Sequence, residues 1–165
     1  MTAKAGVTDP YPVSPEGVVE MLLNRDYVMA KYEALQDRQF EVLQLERTDD
    51  GHVFKVDREV DANLPDIAKK VLGDTNRLVQ SEVWRKSGDG YVADVKIDSP
   101  GKPVAITGSF EVMPSGDGAA TWTVDFTIKA SVPLVGGKIE KIVAQEAQDN
   151  LGKEYTFNKQ WLAEH

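Results

Sequence analysis

A chain of 165 residues without cysteine offers no disulfide framework, thiolate zinc site or cysteine nucleophile, yet it is long enough to bury a core unaided. Its 27 acidic residues against 19 basic ones give a net charge of −8, which opposes nucleic acid and anionic membrane surfaces as partners. With 41% hydrophobic residues, no run approaching the roughly 18 apolar residues of a membrane span and no apolar stretch in MTAKAGVTDPYPV, the expectation is one soluble, cytoplasmic domain over residues 1–165.

Residues 3–13 can form a strand that Pro10 and Pro12 confine to a sheet edge or an irregular end. Ser14-Pro15-Glu16 then starts a helix, with Ser14 as N-cap, Pro15 at the first helical position and an acid where the helix dipole favours it. Residues 15–23 set Val18, Val19, Leu22 and Leu23 on one side. Asn24 and Asp26 interrupt this helix and can cap a second short one through Ala34.

From Arg38 to Ala130 the apolar period changes from 3.6 to 2. Turn signals at Asp49-Asp50-Gly51, Gly88-Asp89-Gly90, Pro100-Gly101-Lys102-Pro103 and Ser115-Gly116-Asp117-Gly118 divide the region into an antiparallel meander. Residues 64–73 interrupt it with a proline start, a glycine stop and a helical pattern, which predicts a short helix. One face is apolar throughout: Phe54, Val56 and Val60; Tyr91, Ala93, Val95 and Ile97; Val104, Ile106, Phe110 and Val112; Trp122, Val124, Phe126 and Ile128. Near residues 40–47 the alternation fails, because Val42, Leu43 and Leu45 do not share a face, and a bulge there would reverse the parity. The apolar face needs a cover, and the one long helical pattern is residues 134–162.

This order of elements resembles the START-like (SRPBCC, helix-grip) superfamily. The segments YPVSPEGVVEMLLNRDYV, LPDIAKKVLG, SPGKPVAITGSF and VPLVGGKIEKIVAQE look like the spaced signatures of a bacterial START-like family of unknown function, over nearly the whole length. The resemblance implies an α+β fold, a curved antiparallel sheet of about six to seven strands wrapped around a long C-terminal helix, with two short helices after the first strand. It also implies a cavity between helix and sheet that often holds a hydrophobic ligand. Its motifs are structural, so it speaks to fold more than to activity.

Gly136-Gly137-Lys138 opens the long helix, but it is not GxxxxGK[ST] and no βαβ unit surrounds it. The better reading is steric, with two residues lacking Cβ letting the helix start approach neighbouring backbone. Val132-Pro133-Leu134 beside it is expected as a mobile lip at the cavity mouth.

At 100° per residue, Ile139, Val143, Ala147 and Leu151 define one face of the long helix, and Asn150, Glu154 and Asn158 fall among the same directions. Three explanations stand open: these polar groups have partners, line a wet cavity, or sit where the helix overhangs the sheet. Arg58, Gln80 and Glu82 share inward parity with Phe54 and Trp84 and can reach toward the helix. An internal Arg–Glu network is favoured over an Arg58 fork on a ligand carboxylate.

The expected ligand-binding residues are Phe54, Arg58, Trp84, Ile106, Phe110, Trp122, Phe126, Val143, Asn150, Leu151 and Glu154. The leading expectation is a non-catalytic binder of a small hydrophobic molecule (lipid, isoprenoid or polyketide-like), with no cofactor, no metal and no nucleic-acid or integral-membrane partner. A cyclase, dehydratase or hydrolase with Glu154 or Glu82 as a desolvated acid or base is one alternative, and a filled-core protein-interaction module is another. His52, just after a turn, and the terminal His165 offer little for a metal site or a triad.

Overall fold

The computed structural model describes residues 1–61 and 64–165 of the chain. It begins with strand β1 (Ala3–Tyr11), followed by helices α1 (Pro15–Leu23) and α2 (Arg25–Ala34). The caps form as the sequence predicts. Ser14 Oγ accepts from the Gly17 N–H at 3.2 Å, and Asn24 Oδ1 accepts from the N–H groups of Asp26 and Tyr27 at 2.9 and 3.4 Å. Helix α2 ends in a Schellman motif, in which the Asp37 N–H donates to the Tyr32 carbonyl and the Gln36 N–H to that of Glu33. The left-handed residue of that motif is Gln36, with φ of 62°.

The meander follows as β2 (Gln39–Arg47), β3 (Gly51–Asp61), the short helix α3 (Asp66–Leu72), β4 (Thr75–Ser87), β5 (Gly90–Asp98), β6 (Val104–Pro114) and β7 (Ala120–Ala130). All neighbours are antiparallel, in the order β1-β7-β6-β5-β4-β3-β2. Strand β1, with its proline, is therefore an edge, where a missing N–H costs no ladder bond. The opposite edge strand, β2, slips register between Val42 and Gln44. Val42 and Leu45 consequently both pack on the core, while Leu43 turns outward.

Helix α4 (Gly136–Glu164) lies across the covered face, against β1 and β7. It starts two residues later than the periodicity predicts, because Leu134 has φ of 68° and the Val135 N–H turns back to the Pro133 carbonyl at 2.8 Å. That three-residue turn is incompatible with helix. The first glycine behind it serves close approach, since a Cβ on Gly136 would lie 2.7 Å from the Ala130 carbonyl oxygen, whereas one on Gly137 would meet only the movable end of the Met1 side chain.

Farther along α4, the Gln148 amide exchanges two hydrogen bonds with the outward-facing backbone of Gly6, at 3.0 and 2.9 Å. The Tyr155 hydroxyl donates to the Pro10 carbonyl at 2.9 Å. These contacts occupy main-chain groups that an edge strand otherwise leaves open. The inward faces of the strands, including Phe54, Val56, Val95, Phe110, Val112, Phe126 and Ile128, join Ile139, Ala144 and Leu151 of α4 in one core.

Candidate ligand-binding cavity

Between α4 and the sheet lies a cavity of about 410 Å³. Its lining includes Phe54, Arg58, Ile106, Phe110, Trp122, Phe126, Val143, Asn150, Leu151 and Glu154, all chosen from sequence parity. Trp84 does not line it. It lies behind the wall, 1% exposed, with His52, Phe110 and Trp122 packed around it at 5.4, 5.6 and 5.9 Å between ring centroids. Nor does any of Val132, Pro133 and Leu134 line the cavity.

The polar residues of α4 are partnered. Asn158 is buried between two tyrosines: the Tyr27 hydroxyl donates to its Oδ1 at 2.6 Å, and its Nδ2 donates to the Tyr11 hydroxyl at 3.1 Å. Burial raises both phenols above their ordinary range, so they stay neutral and serve as hydrogen-bonding posts. Glu154 meets Lys31 Nζ at 2.8 Å, and Asn150 Nδ2 reaches Glu154 at 3.4 Å. Burial opposes the charge of Lys31, but Glu154 together with Tyr27 and Tyr32 outweighs it and the lysine pKa rises; the ammonium also lies 5.2 Å from the centroid of the Tyr32 ring.

The expected network of Arg58 with Glu82 is not what forms. Arg58 instead forks onto Asp37, Nε donating to Oδ2 at 2.7 Å and Nη2 to Oδ1 at 3.1 Å, with its guanidinium 4.7 Å from the Tyr32 ring centroid. Burial disfavours its charge, but the Asp37 bond, joined by the charges of Asp37 and Glu154 and by Tyr32, outweighs this and the guanidinium pKa is raised. The physical reason lies in the Schellman turn, which brings Asp37 over β3; its side chain is 1% exposed. Glu82 is held by its own strand neighbours, accepting from Gln80 Nε2 at 2.6 Å and from Trp84 Nε1 at 2.9 Å. Burial pushes its carboxyl above the usual range, while Lys31 and the two donors pull it back.

Sequence reasoning passed over Lys31, Tyr32, Asp37 and His52. Lys31 was legible, since Tyr27, Val28, Lys31 and Tyr32 share one face of α2 at the spacing of buried positions. Asp37 had no such signal, because a loop residue has no periodicity. His52 is 1% exposed, stacks on Trp84 at an interplanar angle of 12° and lines the cavity. Neither ring nitrogen has a partner among the described residues, and burial, with Arg47 adding, lowers its pKa to about 4.

Among the described residues, no group of three or more His, Cys, Asp or Glu is placed to hold a metal, and no helix is long and apolar enough to cross a membrane.

This architecture is the START-like helix-grip fold, and solved structures share it. A START superfamily protein from Mycobacterium smegmatis superposes with a TM-score of 0.61 at 14% identity, over 96% of this chain and 98% of that one. The Zhui aromatase/cyclase from a Streptomyces species gives 0.56 at 14%, over 97% and 90%. Norcoclaurine synthase from Thalictrum flavum, in complex with dopamine and hydroxybenzaldehyde, gives 0.63 at 12%, over 100% and 88%. At such identities the likeness speaks for the fold. The chain itself belongs to the family described as "Protein of unknown function (DUF2505)", whose model matches residues 7–162. No curated protein matches it.

Proposed function

We propose that the whole chain acts as one domain that binds a small hydrophobic molecule, of lipid, isoprenoid or polyketide-like character, between the sheet and α4. The observation that carries this reading is the cavity of about 410 Å³ with walls of Phe54, Ile106, Phe110, Phe126, Val143 and Leu151. Burying a ligand's apolar surface there contributes about 25 cal/mol per Å². Arg58, Asn150 and Glu154 supply the polar points that fix its orientation. Small-molecule occupancy in the norcoclaurine synthase complex supports ligand binding as a use of this fold. The net charge of −8 speaks against recruitment by polyanions, and the carrier is taken to be cytoplasmic.

Native mass spectrometry of the protein purified from its own host, followed by solvent extraction, tests the proposal. A discrete adduct near one per chain is the expected result. A protein that stays bare after exposure to a cell lipid extract would sink it.

A second reading has one observation in its favour. Glu82, buried in the wall with its carboxyl pKa raised, is suited to general acid or base chemistry of the cyclase or dehydratase type, with Glu154 as the other candidate. Conversion of the extracted ligand by the native protein, abolished in Glu82→Gln with binding retained, is the outcome this reading requires. Unchanged ligand after prolonged incubation leaves binding alone.

A further inference from the structure

The segment between β7 and α4 has no part in the cavity, since none of Val132, Pro133 and Leu134 lines it. Val132 and Val135 pack on the core from either side, while Leu134 between them is held wholly in the open, at 105% relative exposure. Its backbone is strained as well. With φ of 68° and the Val135 N–H donating to the Pro133 carbonyl at 2.8 Å, Leu134 is the central residue of a γ-turn of the rare, strained hand. A single exposed leucine is ordinary, but this one keeps a positive φ that glycine adopts without strain, and it has no packing contact to offset the cost.

The turn is fastened at both ends. The Ser131 N–H donates to the Pro103 carbonyl at 2.8 Å, and the Gly136 N–H to the Val132 carbonyl at 3.0 Å. The leucine is thus presented in one place, and little ordering is left for a partner to impose.

The exposed charges of this stretch have one sign. From Phe126 to Gln145 they are Lys129, Lys138 and Lys141. The one acid among them in sequence, Glu140, is 2% exposed and turned inward, its Oε2 accepting from the Ala130 N–H at 2.9 Å. Lys102 adds a fourth exposed lysine, on the β5–β6 loop that meets Ser131. None of the four is in an ion pair among the described residues.

We propose that Leu134 and these lysines form a docking tip for a protein partner, one that offers an apolar pocket of leucine width rimmed by carboxylates. An anionic bilayer fits less well: it is broad and flat, so it would also face the rest of a chain whose net charge is −8, and one leucine inserts less apolar surface than stable anchoring takes. A second copy meeting tip to tip would set lysine against lysine. Because the tip lies outside the cavity wall, it serves with the cavity full or empty.

Thermal unfolding of the full chain is the first test. Leu134→Gly should raise the midpoint by about 2 °C, since strain is relieved and no contact is lost. A lowered midpoint would mean that the leucine serves the fold, and would overturn the proposal. The native chain and Leu134→Gly, both labelled with photo-leucine, are then illuminated in a soluble extract of the host. One protein crosslinked by the native chain and not by the variant is expected. That protein, purified, should bind the native chain about tenfold more tightly than Leu134→Gly and about fivefold more tightly than Lys138→Glu with Lys141→Glu, and binding should weaken as salt rises. No crosslink that depends on Leu134, or a purified protein indifferent to Leu134→Gly or to the lysine reversals, overturns the proposal. So does flotation of the native chain, but not Leu134→Gly, with vesicles of phosphatidylcholine and phosphatidylglycerol, which would make the partner a membrane.

Discussion

The two edges of the sheet are secured by opposite means. At β1, a single amide from α4 bonds both main-chain groups of Gly6, and the Tyr155 hydroxyl holds Pro10: neutral bonds to backbone, near the surface. Toward β2, the edge strand itself is bulged and turns Leu43 outward, and the strand inside it, β3, is anchored by a buried charge pair between Arg58 and Asp37. The difference explains where the cavity can be. Helix α4 is drawn down onto the β1 side, so the space under its Val143, Ala147 and Leu151 opens toward β3 and β4, where charged and aromatic groups rather than helix complete the wall.

If that contrast is right, the β3 side should be the more costly to disturb. Asp37→Ala leaves the Arg58 charge buried without its partner and should destabilise the protein by about 3–5 kcal/mol, read from denaturant unfolding. The pair Asp37→Leu with Arg58→Met removes both charges and should recover most of that loss. A cost below about 1 kcal/mol for Asp37→Ala would mean the pair behaves like a surface bridge.

Acid should find the same side. His52 has a folded pKa of about 4 against an ordinary 6.5, so the unfolded chain takes up its proton first. The stability it contributes is complete above pH 6.5 and is lost as pH falls toward 4, amounting to roughly 3 kcal/mol. Glu82 acts in the reverse sense: its raised pKa favours the folded state at low pH, and this contribution disappears as pH rises through the carboxyl range. Unfolding free energies of the native chain and His52→Phe, compared between pH 7 and 4, isolate the histidine. The native protein should lose roughly 3 kcal/mol relative to the variant. Parallel curves would show that the ring is not sealed as the stacking on Trp84 indicates.

On the β1 side, Gln148→Ala removes two hydrogen bonds from a partly buried position and should cost about 1–2 kcal/mol. Faster amide exchange confined to Gly6 and its neighbours is the accompanying readout. Loss of protection across β7 as well would show that the helix contact holds more than the edge.

What was legible in the sequence follows the same division. Regular elements announce themselves through period and caps, so Ser14, Asn24, the short helix and the inward parity of Phe54, Phe110, Trp122 and Phe126 could be read directly. Even the bulge at Val42–Gln44 left its mark, as a failed alternation. The site's electrostatics could not be read, because they depend on a loop. Asp37 is three residues past the end of α2, and only the tertiary path of that turn brings it to Arg58 in place of Glu82. Trp84 shares parity with the cavity residues yet is walled off by Phe110 and Trp122, since parity chooses a face but not a depth.

The smallest effect tests how that turn is held. The Schellman motif requires a left-handed residue, and here it is Gln36, a side chain that pays about 1 kcal/mol or more for φ of 62°. Glycine adopts that conformation freely, though its own flexibility in the unfolded chain takes back part of the gain. Gln36→Gly should therefore raise stability by about 0.5–1 kcal/mol while leaving Asp37 on Arg58. Combined with Asp37→Ala, the glycine should add the same increment, because the turn's own bonds run from Gln36 to Glu33 and from the Asp37 backbone to Tyr32, independent of the carboxylate. A gain that vanishes in the Asp37→Ala background would show instead that the ion pair shapes the turn, and that the charged anchor of β3 dictates the path of the loop rather than receiving it.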